Sequence, residues 1–168
     1  MKAEKFELLV SYYQFGIFDA AVKNPFNDWF PEHVAQGFAW RPDSAFFQTP
    51  FGDGAHVFEV WVANHRPPLD GKAVRAIIVP FPKRTTAALE VGSVGASHVL
   101  RMPADRDSIF VEFAVYEDSE IPLVRITFYN EGETVFQIVK ADSAEMANAK
   151  LVVTAQPGNF GDSALNCL

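Results

Sequence analysis

Alternation of apolar and polar residues limits the folds open to this chain more strongly than any other property of the sequence. A period of two puts every second side chain on the same face of a β-strand. The alternating or apolar runs lie at residues 6–19 (one or two strands), 44–48, 55–63, 74–81, 87–92, 97–102, 109–116, 123–130 and 134–140. From residue 87 onward the runs recur roughly every 8–12 residues, with Gly, Pro or charged turns between them, which is typical of a β-sandwich or barrel.

Two segments interrupt the alternation and have helical features. Residues 31–37 carry a proline at the start and a glycine at the end, which predicts a short helix. Residues 142–150 predict one or two helical turns, followed by a last strand at 151–155. The turn-forming residues between the runs at 44–48 and 55–63 predict that these two strands form a hairpin.

Length and composition are compatible with one domain built from these elements. The chain has 168 residues, of which 49% are hydrophobic and 14% aromatic, including 16 phenylalanines. Aromatic side chains favour strands, and a core of this size needs neither a disulfide nor a metal. We therefore predict an all-β fold, an antiparallel β-sandwich with one or two short helices. The predicted domain covers residues 1–156, and an irregular C-terminal tail covers residues 157–168.

The sequence also predicts a compartment. Cys167 is the single cysteine, so no intramolecular disulfide can form and a secreted disulfide scaffold is excluded. The N-terminus carries charges within its first five residues and lacks the apolar run of a signal peptide, and no run approaches the ~20 apolar residues of a membrane span. We expect a cytoplasmic protein that has no membrane span and binds no cofactor. Such a protein would associate with a membrane only through its partner.

Charge is distributed unevenly along the chain. The net charge is −7, which argues against direct binding of nucleic acid, because nucleic-acid binding needs a cationic surface. Residues 102–133 contain eight acidic and two basic residues, whereas residues 64–84 contain five basic residues and one acidic residue. The sequence therefore predicts an acidic pole that attracts a basic partner.

An enzymatic function would depend on the four histidines, because His is the commonest general base and metal ligand. These are His33, His56, His65 and His98. They are scattered, and no His-x-x-x-His, Cys-x-x-Cys, Gly-x-Ser-x-Gly or phosphate-loop spacing occurs. We predict no catalytic residue and no metal ligand. A metal-assisted hydrolase stays a rival hypothesis, which histidines converging with carboxylates would favour.

The three tryptophans support a second rival. Trp29, Trp40 and Trp61 are able to stack on a sugar or another small molecule, so a small-molecule or carbohydrate-binding β-sandwich is the alternative function. A deep pocket lined by the tryptophans would favour this alternative. A broad acidic patch would instead favour a protein partner.

The N-terminal third carries a pattern of residues in a characteristic order. The pattern consists of Ser11-Tyr12-Tyr13-Gln14-Phe15, Phe18-Asp19, Asp28-Trp29 and the segment from Glu32 to Ala39. It resembles the competence protein J family, small proteins known as inhibitors of the DNA-entry nuclease. The resemblance is good over residues 7–62 and thinner through about residue 116, where Val79-Pro80-Phe81, Leu89-Glu90-Val91 and Pro103 are also similar. Residues 141–168 carry no such resemblance.

This resemblance implies a non-enzymatic inhibitor, an immunity-type protein, that binds a basic nuclease and blocks its active cleft, in competence or in toxin immunity. Most motif residues are expected to act structurally: Ser11, Tyr13, Gln14, Phe15, Trp29, Gly37 and Phe38. Asp28 is expected either to cap the loop that carries the helix or to reach the basic partner. The hypothetical partner-binding residues are Asp28, Asp105, Asp107, Glu117, Asp118 and Glu120. The oligomeric state stays open.

Overall fold

The computed structural model describes residues 2–82, 88–101 and 105–158 of the chain. Its strands and helices are short, and they follow the predicted alternation closely. The strands are β1 (Lys2–Val10), β2 (Gln14–Asp19), β3 (Phe38–Arg41), β4 (Ser44–Gln48), β5 (Gly54–Val62), β6 (Ala73–Pro80), β7 (Leu89–Ser93), β8 (Ala96–Val99), β9 (Ser108–Ala114), β10 (Leu123–Tyr129) and β11 (Gln137–Lys140). The helices are α1 (Pro31–Gln36) and α2 (Ala144–Ala147).

The strands form two sheets that pack face to face. One sheet has six strands in the order β1-β5-β10-β9-β6-β11, and the other has five in the order β3-β4-β2-β7-β8. Neighbouring strands are antiparallel except β5 and β10, which pair in parallel. The predicted all-β sandwich with two short helices is confirmed.

The core lies between the two sheets and is dominated by phenylalanine. Phe15 of β2 is completely buried at its centre. Its ring stacks on Phe47 of β4 at a centroid distance of 5.7 Å, and it meets Phe58 of β5 edge to face at 5.0 Å. Phe113 of β9 lies 5.9 Å away. A single aromatic side chain therefore joins both sheets.

Two local predictions were wrong for identifiable reasons. Strands β4 and β5 do not form a hairpin, because β4 pairs with β2 and β3 while β5 belongs to the other sheet. The turn formers between them carry the chain from one sheet to the other.

The predicted last strand is also absent. Residues 151–155 form no strand, because Gln36 bonds both the N–H and the C=O of Val152, and the His33 ring bonds the carbonyl of Thr154. Hydrogen bonds from side chains of α1 therefore replace the backbone hydrogen bonds that a strand would make with a neighbouring strand.

Strand pairing defines two ends of the sandwich. At the first end, Val10 faces Gly54, and Leu123 faces both Val57 and Ala114. The turns at residues 11–14, 49–53 and 115–122 therefore lie together at this end. We call it the tyrosine end, because Tyr12 and Tyr13 lie in the first of these turns. Strand β9 begins at the opposite end, where the segment at residues 105–107 leads into it.

The C-terminal part of the described chain is tied to the body. Asn27 and Pro157 form an isolated antiparallel bridge, and the N–H of Gly158 donates to the carbonyl of Phe26 at 2.7 Å. The rest of the predicted tail, including Cys167, lies outside the described residues. Within the described ranges, neither helix is long and apolar enough to cross a membrane.

Candidate functional site

The turn that joins β1 to β2 has an unusual backbone. The N–H of Gln14 donates to the carbonyl of Ser11 at 3.3 Å, which closes a four-residue turn. Both central residues, Tyr12 and Tyr13, have φ = 57°. Positive φ at both positions is the type I′ geometry, which Asn and Gly adopt far more easily than tyrosine. We call residues 11–14 the tyrosine turn.

Neighbouring segments hold the tyrosine turn in this conformation. The Ser93 hydroxyl accepts from the N–H of Ser11 at 2.8 Å and donates to the carbonyl of Gln14 at 2.7 Å. The N–H of Tyr13 donates to Asp53 Oδ1 at 2.7 Å, and its carbonyl accepts from the N–H of Thr49 at 2.8 Å. These bonds occupy the backbone of the turn, so its geometry is imposed by packing against β7 and the 49–53 loop.

The tyrosine side chains of the turn are exposed, and so is a phenylalanine just before α1. Tyr12 and Tyr13 are 51% and 54% exposed, and Phe30, just before α1, is 51% exposed. Trp29, the residue before Phe30, is half-buried, and its indole N–H donates to Gln14 Oε1 of the turn at 2.8 Å. Tyr and Trp are enriched in the centres of protein interfaces.

The predicted acidic residues fall into separate groups. Glu117, Asp118 and Glu120 are exposed in the loop after β9, at the tyrosine end, and we call residues 117–120 the acidic loop. Asp105 and Asp107 precede β9, so the seven-residue strand separates the two groups by about 20 Å. We predicted that these five acidic residues form one partner-binding face, but the structure places them in two separate groups.

The acidic residues also differ in how they are engaged. Asp105 forms an ion pair with Arg106, and Asp107 accepts from the Ser108 hydroxyl and from the N–H of Glu131, each at 3.0 Å. Asp28 is half-buried before α1, and its N–H donates to the carbonyl of Gln156 at 2.9 Å. The acidic loop is more exposed: Glu117 lies 4.0 Å from Lys72 Nζ, but its side chain is 95% exposed, and Asp118 and Glu120 are exposed as well.

A charged cluster that the sequence did not reveal lies on the outer face of the six-stranded sheet. Arg125 of β10 sits between Glu59 of β5 and Glu112 of β9 in the strand register. Its guanidinium donates to Asp70 Oδ2 at 2.9 Å and to Glu59 Oε1 at 3.3 Å. The Tyr116 hydroxyl also donates to Asp70. We call these five residues the charge network.

The pKa values in the charge network follow from burial and hydrogen bonding. Burial alone would lower the pKa of Arg125, but its bonds to Asp70 and Tyr116 and the charge of Glu59 raise it. Burial would raise the pKa of Asp70, but the Tyr116 hydroxyl, a backbone N–H and Arg125 lower it. Burial raises the pKa of Glu112, although the N–H of Asp70 donates to it at 2.8 Å.

The raised pKa of Glu112 leads to a testable pH dependence. Its ionised form is disfavoured in the folded state, so the resulting destabilisation is present at pH 7 and disappears as the pH falls through the raised pKa. Glu112→Gln keeps the acceptor for Asp70 without the charge. We expect it to raise the Tm at pH 7 by a few degrees, with the gain vanishing near pH 4.5, the ordinary pKa of Glu.

Thermal unfolding of wild type and variant at both pH values measures this effect. Glu120→Gln, in the exposed acidic loop, is the matched control and should leave the Tm unchanged at either pH. A lower Tm for Glu112→Gln at pH 7 would mean that attraction to Arg125 outweighs the cost of burying the Glu112 carboxylate.

Comparison with known proteins decides the family. A model of the family described as competence protein J (ComJ) matches residues 7–139. The chain belongs to the ComJ family. The match extends beyond the sequence resemblance noted above, through β10 and into β11.

A solved member gives the same fold. The crystal structure of ComJ from Bacillus subtilis, described as an inhibitor of the DNA degrading activity of NucA, matches with a TM-score of 0.59 at 19% identity. The match covers 77% of this chain and 98% of that chain. Among curated proteins, no sequence matches this chain. The match thus includes almost all of the Bacillus subtilis protein, whereas part of this chain lies outside the match.

The motif residues of the ComJ family differ in their burial and in the contacts that they make. Phe15 and Phe38 are completely buried, and Gly37 ends α1 with φ = 81°. A Cβ at Gly37 would meet Met146 Cε at 2.9 Å, so glycine fits both the backbone and the packing. Ser11 bonds to Ser93 through its N–H, whereas the Tyr13 ring faces solvent.

The residues behind the rival hypotheses lie apart from one another in this ComJ-family fold. Trp40 of β3 donates its indole N–H to the carbonyl of Pro80 at 2.7 Å, and Trp61 of β5 donates to Glu59. Trp29 lies before α1, so the three tryptophans line no common pocket among the described residues. His33, His56 and His98 contact different partners, and the described part of the chain contains no group of three or more His, Cys, Asp or Glu residues arranged to bind a metal.

Proposed function

We propose that this chain is a non-enzymatic inhibitor that binds a DNA-degrading nuclease and blocks its active cleft. The observation that carries the proposal is membership of the ComJ family over residues 7–139. The solved relative from Bacillus subtilis, described as an inhibitor of the DNA degrading activity of NucA, supports it. NucA is therefore the nuclease of choice for a test.

The charges of the chain support the same proposal. A nuclease must present cationic side chains to the phosphates of DNA, so an acidic protein surface is able to compete for that site. The net charge of −7 and the exposed acidic loop provide such a surface. Association with the nuclease should then be faster at low salt and slow down as salt screens the charges.

Inhibition is measured by mixing the purified protein with purified NucA and following the degradation of linear DNA. We expect cleavage to stop near a one-to-one ratio of the two proteins. Undiminished cleavage at a large excess of the inhibitor would contradict the proposal. Incubating the protein with DNA alone, where we expect no cleavage and no binding, tests its non-enzymatic character.

A charge-reversal pair distinguishes the two acidic groups of the surface. Asp118→Lys/Glu120→Lys changes the acidic loop, whereas Glu131→Lys/Glu133→Lys makes the same change of charge near Asp105 and Asp107. We expect the first variant to weaken the affinity for NucA about tenfold at low salt and to flatten its salt dependence. The second should bind nearly as the wild type does.

The affinities of both variants are measured by titration at several salt concentrations. The opposite ranking would assign the contact to the end of the sandwich that holds Asp105 and Asp107. Equal effects of the two variants would mean that only the net charge matters, and that neither acidic group lies in the interface.

A further inference from the structure

The residues of the tyrosine turn conflict with the conformation that they adopt. A two-residue turn with positive φ at both positions is usually built from Asn and Gly, because a β-carbon is strained there. Here two tyrosines, Tyr12 and Tyr13, occupy these positions at φ = 57°. Folding alone would favour other residues, so the choice of tyrosine points to a role for the side chains.

The geometry of the turn directs both rings outward. Bonds from Ser93, Asp53 and Thr49 hold the backbone, while about half of each tyrosine residue is open to solvent and the Tyr13 ring lies against Gly52. A ring on a fixed backbone has few rotamers to lose, so it binds a partner at a low entropic cost. The turn therefore presents two preorganised rings.

The charged groups around these rings indicate what kind of partner fits. Asp53 lies at the base of the turn, 2.7 Å from the N–H of Tyr13, and the acidic loop lies at the same end of the sandwich. Cationic side chains stack on tyrosine faces and pair with such carboxylates. A nucleic acid or a second copy of this acidic end would be repelled.

We infer that the tyrosine turn is the anchor of the inhibitor: the rings of Tyr12 and Tyr13 insert into the cationic, DNA-binding surface of the nuclease, with the acidic loop at the rim. This inference rests on the proposed function and adds the contact surface to it. Aromatic anchors at the centre of an interface, surrounded by charges, are the usual arrangement of binding hot spots.

The strain in the turn permits a variant that separates binding from folding. Tyr12→Asn/Tyr13→Gly installs the residues that a type I′ turn prefers and keeps the N–H that donates to Asp53. We expect an equal or higher Tm together with an affinity for NucA about thirtyfold weaker. Tyr12→Phe/Tyr13→Phe keeps the rings and should stay within about threefold of the wild type.

Titration calorimetry against NucA and thermal unfolding, applied to each variant, measure both quantities. Val99→Ala is the matched control, because Val99 is 51% exposed on the edge strand β8 and should not affect affinity. Equal affinity of Tyr12→Asn/Tyr13→Gly and wild type would overturn the anchor while leaving inhibition by the wild type intact. An equally large loss in the phenylalanine variant would also overturn it, because the rings would then not be the contact.

Two further outcomes are distinguishable from these. If the wild-type protein does not inhibit NucA, the proposed function fails, and the anchor fails with it. If sedimentation finds a wild-type dimer that dissociates in Tyr12→Asn/Tyr13→Gly, the surface belongs to a second copy of the chain, and the inference is overturned.

Discussion

Phe15→Ala is expected to lower the free energy of unfolding by about 3–5 kcal/mol, because it removes a completely buried ring and leaves a cavity between the sheets. The ring contacts Phe47 in one sheet and Phe58 and Phe113 in the other, so no single neighbouring strand can move in to fill the space. In a domain of this size, the loss corresponds to a fall in Tm of about 10 °C. Denaturant unfolding and calorimetry measure the effect.

Phe15→Leu is the matched control, since it keeps most of the apolar volume and should cost about 1 kcal/mol. At a temperature where Phe15→Ala is still folded, we expect it to inhibit the nuclease at the same stoichiometry as the wild type. A loss of inhibition by the folded variant would mean that Phe15 shapes the contact surface directly. The comparison therefore separates the two roles that a family-motif residue can have.

Alternation predicts strands well but carries no information about which sheet a strand joins. The class of fold, the helix α1 and the approximate bounds of most strands follow from the period of two and from Pro and Gly positions. The pairing of β4 and β5 was predicted wrongly because turn formers serve a sheet-to-sheet crossing as well as a hairpin. Strand β3 has four residues, too few for a period to be detected.

The candidate site was less predictable for a related reason. The acidic residues are close in sequence, but β9 runs between the two groups and sends them to opposite ends of the sandwich. The sequence Tyr12-Tyr13 favours a strand, but long-range bonds hold it in a turn: Ser93 bonds Ser11 across 82 residues, and Asp53 and Thr49 bond Tyr13, Asp53 across 40 residues. Local propensity was overridden by long-range contacts.

The charge network likewise depends on register, which the sequence does not specify. Glu112 stands in the middle of an apolar run, and a charge in such a position was the one available indication that a cation faces it. Its partner Arg125 became identifiable only once β9 and β10 were aligned residue by residue. Asp70 reaches the same cluster from a loop, where no period applies.

Arg125→Ala is expected to lower the free energy of unfolding by about 2–4 kcal/mol at pH 7. The substitution leaves Glu59, Asp70 and Glu112 close together on the sheet without the cation between them. Removing one partner of a buried ion pair usually costs about 3–5 kcal/mol, and the Arg125 side chain is 25% exposed, so solvent relieves part of this cost. Denaturant unfolding measures the difference from the wild type.

Lys72→Ala is the matched control, because it removes the same charge from an ion pair whose two side chains are 56% and 95% exposed. That variant should lose no more than about 0.5 kcal/mol. Arg125→Lys should fall between the two, because a single ammonium cannot reach both Asp70 and Glu59 with the geometry of the guanidinium. A loss for Arg125→Ala as small as that for Lys72→Ala would contradict a stabilising role of the network.

The pH dependence of Arg125→Ala identifies the cause of its instability. In the wild type, the lowered pKa of Asp70 contributes stability that is present at neutral pH and is lost as the pH falls through that pKa. In the variant, the carboxylates lack their cation, so protonating them relieves repulsion. The difference between wild type and variant should therefore be fully present at pH 7 and narrow as the pH falls below about 4, the ordinary pKa range of Asp, towards the lowered pKa of Asp70. A difference independent of pH would instead assign the loss to the packing of the arginine side chain.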